Sequence, residues 1–201
     1  MTTIVGIQGD GFAVIGNDSR LSEMDSGGFV SQIMTIRSNA NKIAKNGKYL
    51  LGAAGDMRAI NILHHVFIPP TPTANLSGLQ LDKFFTNKFI PELRECFDKT
   101  GYASPEKESS DHKAEQSSEI IVVVNATIYV IDSSYAWASD QSGVYALGTG
   151  AAYALGALKA LTGKSKLTPA SAKTLCIKAL NVAAQYDPHT GSPFYTHIQE
   201  Q

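Results

Sequence analysis

Short apolar segments separated by tight-turn residues recur along this 201-residue chain. Apolar residues 2–8 and 12–16 flank Gly9-Asp10-Gly11, and Asn46-Gly47 joins two further apolar segments. Glycine and asparagine tolerate the positive φ angles that short hairpin turns need. Each pair of segments is therefore predicted to form a β-hairpin, and the chain must build its sheets largely by antiparallel pairing of neighbours.

The apolar spacing changes to that of helices in two parts of the chain. In the first part, Asp56 is predicted to cap one helix, and a second covers residues 79–98, where an apolar side chain recurs at every fourth position. Pro91 is expected to kink or divide that second helix. In the other part, one helix is predicted to follow Gly148-Thr149-Gly150, and Thr168-Pro169 has the residue types that begin another.

Strands return between the two helical parts. Residues 120–124 and 128–131 are predicted to pair about Asn125, and residues 135–138 and 144–147 to form one more hairpin. The order is then strands, two helices, strands, two helices and a last strand, without alternating βαβ units. It predicts an α+β fold, a four-layer αββα sandwich in which two antiparallel sheets pack face to face and helices cover both outer sides.

The composition fits one domain over residues 1–201 and argues against several classes of partner. Hydrophobic residues make up 43% and charged residues 17%, with a formal net charge of −1, so neither a nucleic-acid surface nor a membrane surface is expected. No apolar run approaches the roughly 18–20 residues of a membrane span, and no secretion signal is evident, so a cytoplasmic protein is expected. Cys96 and Cys176 stand far apart, and neither a metal site nor a cofactor is predicted.

Residues 103–118 differ from the rest of the chain. Serine, charged residues and one proline dominate this stretch, and it has no apolar period. Too little chain precedes it to close a separate core, so it is predicted to be an exposed loop insertion within the single domain.

The residue after Met1, Thr2, is a candidate nucleophile. If the initiator is removed, Thr2 bears both a free α-amine and a hydroxyl. A threonine hydroxyl is a weak nucleophile until a base takes its proton, and an N-terminal amine with a pKa of about 7.7–8.0 can act as that base. The alternative is that these β-branched residues simply begin a strand.

Hairpin geometry brings candidate partners to Thr2. The second strand of the first hairpin delivers Asp18 to the end where the first strand begins, although Asp18 and Arg20 could equally form an ordinary turn salt bridge. Gly55 follows another predicted strand and precedes a helix, so its N–H is a candidate oxyanion donor. The alternative for Gly55 is a purely steric need for glycine in the turn.

Six segments of the chain resemble motifs of proteasome β-type subunits and of the related bacterial peptidase that works with a ring ATPase. The segments occur in the same order as in those proteins. These segments are Thr2-Thr3-Ile4-Val5-Gly6, Asn17-Asp18-Ser19-Arg20, Lys42-Ile43, Ala54-Gly55, residues 147–156 and Asp187-Pro188-His189-Thr190-Gly191. The families belong to the N-terminal-nucleophile hydrolases, and the resemblance covers nearly the full chain.

The resemblance implies a role for individual residues. Thr2 matches the nucleophile, and Asp18 and Lys42 match the acid and the lysine beside it. An ammonium depresses the pKa values of the nucleophile's groups and stabilises developing negative charge, while the carboxylate holds that lysine in place. Gly55 matches the glycine whose N–H faces the carbonyl oxygen of the substrate.

The resemblance also implies a second group beside the threonine amine. Thr149 falls where the family usually has serine, and Asp187 with Thr190 match its Asp-x-x-Ser element. These polar groups would orient the amine and relay its proton.

Several features depart from the family pattern. Thr149 and Thr190 replace serines, and Asp56 puts a carboxylate where a second glycine is common, close to the presumed oxyanion site. No propeptide is expected before Thr2, so exposure of the nucleophile would depend on removal of Met1.

The leading hypothesis is a threonine endopeptidase subunit of a self-compartmentalised, proteasome-like ring protease that hydrolyses peptide bonds in unfolded polypeptides. Its expected partners are polypeptide substrates and further copies of the chain in one or more rings. An ATPase unfoldase or an α-type subunit stays open as a further partner. Two other hypotheses also stay open, a catalytically silent scaffold subunit of the same fold and an amidohydrolase that acts on a small amide.

Overall fold

The computed structural model describes residues 2–24, 27, 30–73, 76–102, 117–163 and 166–201. Met1 and most of the predicted insertion, residues 103–116, lie outside these ranges. At the end of the predicted insertion Ser117 is exposed whereas Ser118 is buried, so the prediction of an exposed loop is wrong for Ser118.

The described elements follow the predicted order of strands, helices, strands, helices and a final strand. The strands are β1 (Thr3–Gly9), β2 (Phe12–Asn17), β3 (Arg20–Met24), β4 (Val30–Thr35), β5 (Ile43–Asn46), β6 (Tyr49–Ala54), β7 (Glu119–Val124), β8 (Thr127–Ile131), β9 (Trp137–Ala138), β10 (Val144–Gly148) and β11 (Tyr195–Glu200). The helices are α1 (Met57–His65), α2 (Gly78–Phe84), α3 (Ile90–Lys99), α4 (Ala151–Thr162) and α5 (Pro169–Tyr186).

The described strands pair antiparallel in three groups. One sheet has the order β10-β1-β2-β11, a second has the order β5-β6-β7-β8-β9, and β3 pairs with β4 as a separate ribbon. The prediction of a mixed fold with antiparallel sheets is thereby confirmed.

One prediction about the strands is wrong, and one strand pair was not predicted. The segments at 135–138 and 144–147 do not form a hairpin with each other, because β9 pairs with β8 whereas β10 pairs with β1 in the other sheet. The chain between them crosses from one sheet to the other, and apolar alternation identifies strands without identifying their partners. The strand pair β3–β4 is not among the predicted hairpins, because its sequence carries little apolar alternation.

The beginning of β1 lies where two neighbouring strands end. Ile4 lies opposite Asn17 of β2, and Thr3 lies opposite Gly148 of β10. Just beyond β2, the backbone N–H of Asp18 donates to the carbonyl oxygen of Thr3 at 3.1 Å. The predicted hairpin therefore does bring Asp18 beside the first residues of the chain.

Three apolar clusters hold the sheets and helices together. Ile4 and Val5 are successive residues of β1 and face opposite sides. Ile4 packs in a cluster between the two larger sheets, and Val5 packs in a cluster between its own sheet and helices α4 and α5. The third cluster lies between the five-stranded sheet and helices α1 to α3, where the rings of Phe85 and Tyr129 stack with centroids 4.1 Å apart.

The helix predicted at 79–98 is divided before Pro91. A π-helical turn, Phe85–Phe89, joins α2 to α3, and within it the N–H of Ile90 donates to the carbonyl oxygen of Phe85. Proline has no N–H to donate, so the wider turn absorbs the interruption of the helical ladder. In the part of the chain that the structure describes, no helix is both long and apolar enough to cross a membrane.

His197 in β11 makes the stability of the fold sensitive to acid. Its Nε2 is buried and lacks a hydrogen-bond partner among the described residues. Burial, assisted by the charges of Lys45 and His64, lowers the pKa of His197 to about 4. The unfolded chain binds a proton at this residue below about pH 6.5, whereas the folded chain resists doing so until about pH 4, so stability is lost as the pH falls through that window.

We expect His197→Gln to lose less unfolding free energy than the unchanged protein between pH 7 and pH 5, measured by urea denaturation. His65→Gln, at an exposed helix position, is the matched control and should lose as much as the unchanged protein. Equal losses in all three proteins would show that His197 is not protonated on unfolding in this range.

Candidate active site

A buried ion pair joins the two larger sheets at the end where β1 begins. Lys42 directly precedes β5, Asp18 directly follows β2, and the side chains of both are fully buried. Lys42 Nζ donates to Asp18 Oδ1 at 2.6 Å and to the carbonyl oxygen of Arg20 at 2.6 Å. The structure therefore brings together the predicted acid and lysine.

The Asp18 carboxylate accepts three further hydrogen bonds. Oδ1 also accepts from the N–H of Thr3 at 2.9 Å, while Oδ2 accepts from the N–H of Arg20 at 3.0 Å and of Gly191 at 3.1 Å. The alternative of a turn salt bridge with Arg20 is wrong, since the Arg20 guanidinium donates to the carbonyl oxygen of Pro188 instead.

Two opposing effects act on the Lys42 ammonium. Burial lowers its pKa because the charged form loses its hydration, and the neighbouring Asp18 carboxylate partly opposes this by raising it. The pKa of Lys42 therefore lies below its ordinary value. The lysine lies close to the start of β1, because its ammonium and the N–H of Thr3 both donate to Asp18 Oδ1. Such a group supplies positive charge in a water-poor site.

Thr2 is buried at the junction of β10 and α4. Its carbonyl oxygen accepts a hydrogen bond from the N–H of Thr149 at 3.0 Å. Gly148 has a φ of +87°, and a side chain there would collide with that same carbonyl oxygen of Thr2. Glycine is therefore required for the close approach of the two chain segments.

A chain of hydroxyl groups ends on the Asp187 carboxylate. The N–H of Gly150 donates to Thr3 Oγ1 at 3.1 Å, and Thr3 Oγ1 and Thr190 Oγ1 are 2.5 Å apart. Thr190 Oγ1 donates to Asp187 Oδ2 at 2.6 Å, which leaves Thr3 as the donor to Thr190. Thr149 Oγ1 donates to the same carboxylate oxygen at 2.8 Å.

The segment that carries these groups is the Asp187 loop, which we define as residues 187–191. Asp187 follows α5 directly, and the helix ends there because the residue before Pro188 is disfavoured in the α region. The predicted residues Thr149, Asp187 and Thr190 thus form one hydrogen-bonded cluster beside Thr2.

Gly55 lies at the same end of the structure. It has a φ of +135°, and a Cβ there would lie 2.7 Å from the carbonyl oxygen of Ser117, so the steric reason for glycine applies. The methyl group of the preceding residue, Ala54, lies close to Gly148, since a Cβ built on that glycine would be 3.3 Å away.

The Asp56 carboxylate has a structural partner. Its Oδ1 accepts from the N–H of Arg58 at 2.8 Å, so it caps α1 as predicted. The N–H of Asp56 itself donates to Ser118 Oγ at 3.1 Å, which fixes the peptide unit between Gly55 and Asp56.

Several residues that contribute to the site were not predicted from the sequence. Thr3 binds both acidic groups of the site, through its N–H to Asp18 and through its hydroxyl by way of Thr190. The available signal was a polar residue at the start of a strand predicted to be buried, because such a hydroxyl needs a partner. The backbone donors of Gly150 and Gly191 have no sequence signal beyond small size.

No family model matches the sequence, and no curated protein matches it either. Solved structures do match across the full chain. Thiobacillus denitrificans BPH in complex with epoxomicin is 20% identical with a TM-score of 0.69, and a second structure of that BPH is 19% identical with a TM-score of 0.70, each covering 99% of this chain and 98% of the other. Eukaryotic HslV from Trypanosoma brucei is 17% identical with a TM-score of 0.62, covering 100% of both chains.

The fold of this chain is therefore that of HslV-type, proteasome-like proteins. The predicted resemblance to proteasome β-type subunits is confirmed at the level of the fold. Because the identities are only 17–20%, the roles of individual residues are argued from the geometry of this chain and not from these structures.

Gly150 leaves space that the hydroxyl cluster occupies. A Cβ there would collide with Thr3 Oγ1 and lie 2.8 Å from Thr190 Oγ1, whereas a Cβ on Gly156, in the same helical segment, would meet nothing within 4 Å. We expect Gly150→Ala to destabilise the protein by about 1–3 kcal/mol through overpacking. Gly156→Ala should instead stabilise it by about 0.5–1 kcal/mol. Urea denaturation measures both, and changes of the same sign would contradict this account of Gly150.

Removal of one partner of the buried ion pair should cost more than removal of both. Asp18→Ala leaves the Lys42 ammonium buried without its carboxylate, a cost of about 3–5 kcal/mol. The double variant Asp18→Ala/Lys42→Met removes the charge while keeping a side chain of similar length. We expect the double variant to be more stable than Asp18→Ala in urea denaturation. If its loss of unfolding free energy equals the sum of the losses in Asp18→Ala and Lys42→Met, the two side chains do not act as a pair.

Proposed function

We propose that this chain is a threonine endopeptidase subunit of a self-compartmentalised, proteasome-like ring protease. The observation that carries the proposal is the pair of buried acidic groups, Asp18 and Asp187, that converge on Thr3, the residue directly after Thr2. A strand start alone needs neither a buried lysine nor a convergent set of hydroxyls. The fold shared with HslV and BPH supports the same assignment.

The proposed reaction begins once Met1 is removed. The Thr2 hydroxyl oxygen attacks the carbonyl carbon of a peptide bond, and its proton passes to the Thr2 α-amine. The N–H of Gly55 stabilises the negative charge on the carbonyl oxygen, and the Lys42 ammonium stabilises charge that develops at the nucleophile.

The intermediate then collapses into an ester. The carbon–nitrogen bond breaks, and the leaving amine takes the proton that the α-amine held. Water, deprotonated by the same α-amine, attacks the ester carbonyl, which releases the acid product and restores Thr2.

The hydroxyl cluster acts on the amine in this proposal. The hydrogen bonds run in one direction, from Gly150 through Thr3 and Thr190 to Asp187, and Thr149 approaches the same carboxylate oxygen. Hydroxyls whose protons already point at a carboxylate present their lone pairs to a neighbouring ammonium. We assign them the task of orienting the α-amine and taking up its charge when it is protonated.

The finer features of the fold and assembly belong to the same proposal. The three apolar clusters support a four-layer αββα arrangement of one domain, with residues 103–118 inserted as a loop. The chain is proposed to act in the cytoplasm on unfolded polypeptides as a homo-oligomeric ring, with an ATPase unfoldase or an α-type subunit as the candidate further partner.

Thr2 is tested with an electrophilic peptide. The Thiobacillus denitrificans BPH structure contains epoxomicin, which makes this compound the probe of choice. We expect epoxomicin to label Thr2 of the purified protein, and Thr2→Ala to abolish labelling and lower peptide hydrolysis by more than about 1000-fold. Thr2→Ser, which keeps a hydroxyl, should retain both.

Thr174→Ala is the matched control, because Thr174 is an exposed residue of α5 whose hydroxyl donates to the carbonyl oxygen of Ala170 in the same helix. It should label and turn over like the unchanged protein. Labelling or hydrolysis that persists in Thr2→Ala would sink the threonine peptidase proposal and favour a silent scaffold subunit.

A further inference from the structure

Two buried side chains outside the proposed chemistry form a hydrogen bond across the site. Ser22 Oγ and His189 Nδ1 are 2.7 Å apart, and the two residues are only 4% and 8% exposed. Ser22 belongs to β3, and His189 is the third residue of the Asp187 loop. Each side chain provides the polar partner that the other needs when it is buried.

The same face of β3 holds the loop at two successive positions. Side chains two residues apart in a strand share a face, so Arg20 and Ser22 point to the same side. Arg20 Nη1 donates to the carbonyl oxygen of Pro188 at 2.7 Å, and Ser22 contacts the ring of the next residue, His189. Two residues on one face of β3 therefore bind two consecutive residues of the Asp187 loop.

His189 is also tied directly to the carboxylate. Its backbone N–H donates to Asp187 Oδ1 at 3.1 Å, while Asp187 Oδ2 accepts from Thr149 and Thr190. One carboxylate oxygen is thus held by the residue whose ring is fixed to β3, and this leaves the other oxygen turned toward the hydroxyl cluster.

We propose that Ser22 and His189 are positioning residues for Asp187. Their hydrogen bond fixes the Asp187 loop against β3, so that the carboxylate keeps the rotation that engages Thr149 and Thr190. Neither side chain touches the reacting atoms, and both act through Asp187. The inference rests on the threonine peptidase function proposed above.

The kinetic test compares Ser22→Ala, His189→Ala, their double variant and His189→Asn for hydrolysis of a fluorogenic peptide. We expect Ser22→Ala and His189→Ala each to lower kcat about 5- to 30-fold, the loss of one buried hydrogen bond, with KM within about twofold. The double variant should be no slower than His189→Ala, because both changes remove the same contact. His189→Asn, which keeps a polar atom near the Nδ1 position, should recover most of kcat.

Two matched controls remove similar groups elsewhere. Ser139→Ala deletes a hydroxyl that donates to the carbonyl oxygen of Ile128, and His65→Asn changes an exposed histidine. Both should keep kcat unchanged even where the melting temperature falls. A kcat that simply follows the melting temperature across all variants would overturn the positioning role.

Hydrogen exchange separates this inference from the proposed function. The amides of Thr190 and Gly191 donate to the Asp187 carbonyl oxygen and to Asp18 Oδ2, and both should exchange faster in Ser22→Ala. Unchanged exchange there overturns the inference whether or not the protein is active. Faster exchange with unchanged kcat also overturns it, because the contact would then be structural only. If the protein without any substitution does not hydrolyse the peptide, the proposed peptidase function is wrong, and Ser22 and His189 then have no catalytic role to support.

Discussion

A lysine ammonium buried between two sheets needs a carboxylate within reach, and in this chain Asp18 supplies it. The desolvation of two charges is recovered only when further hydrogen bonds satisfy the remaining lone pairs. Asp18 meets this requirement with donors from Thr3, Arg20 and Gly191, which belong to three separate segments of the chain. The contact that makes the ion pair tolerable thus also fixes the start of β1 and the end of the Asp187 loop, so the fold and the candidate site depend on the same carboxylate.

The second acidic centre depends on close packing more than on charge pairing. Gly148 and Gly150 allow β10 and the start of α4 to approach the first residues of the chain so closely that a methyl group would collide. This approach lets the hydroxyl of Thr3 lie between a backbone donor and Thr190, where it has one direction in which to donate. The result is an ordered set of hydroxyls on Asp187, next to the residue that would carry the nucleophile and its amine.

Local sequence signals predicted the parts of this arrangement that a single hairpin or helix end determines. The first hairpin placed Asp18 beside the chain start, and Asp56 was correctly predicted to cap α1. Residues brought together from distant segments, such as Lys42 and Asp187, were identified through the family resemblance, because spacing along the chain does not report their proximity. For the same reason the partner of β10 was predicted wrongly and the contact between Ser22 and His189 was not predicted at all. Each depends on how two sheets and a loop meet.

The central claim is that Thr2 acts as an N-terminal nucleophile, and the most direct measurement is the identity of the N-terminal residue in the native protein. Peptide mass spectrometry of the purified chain reads it without any substrate. We expect a chain that begins at Thr2 with a free α-amine, since the proposed base exists only in that form. A native protein in which Met1 is fully retained would contradict it.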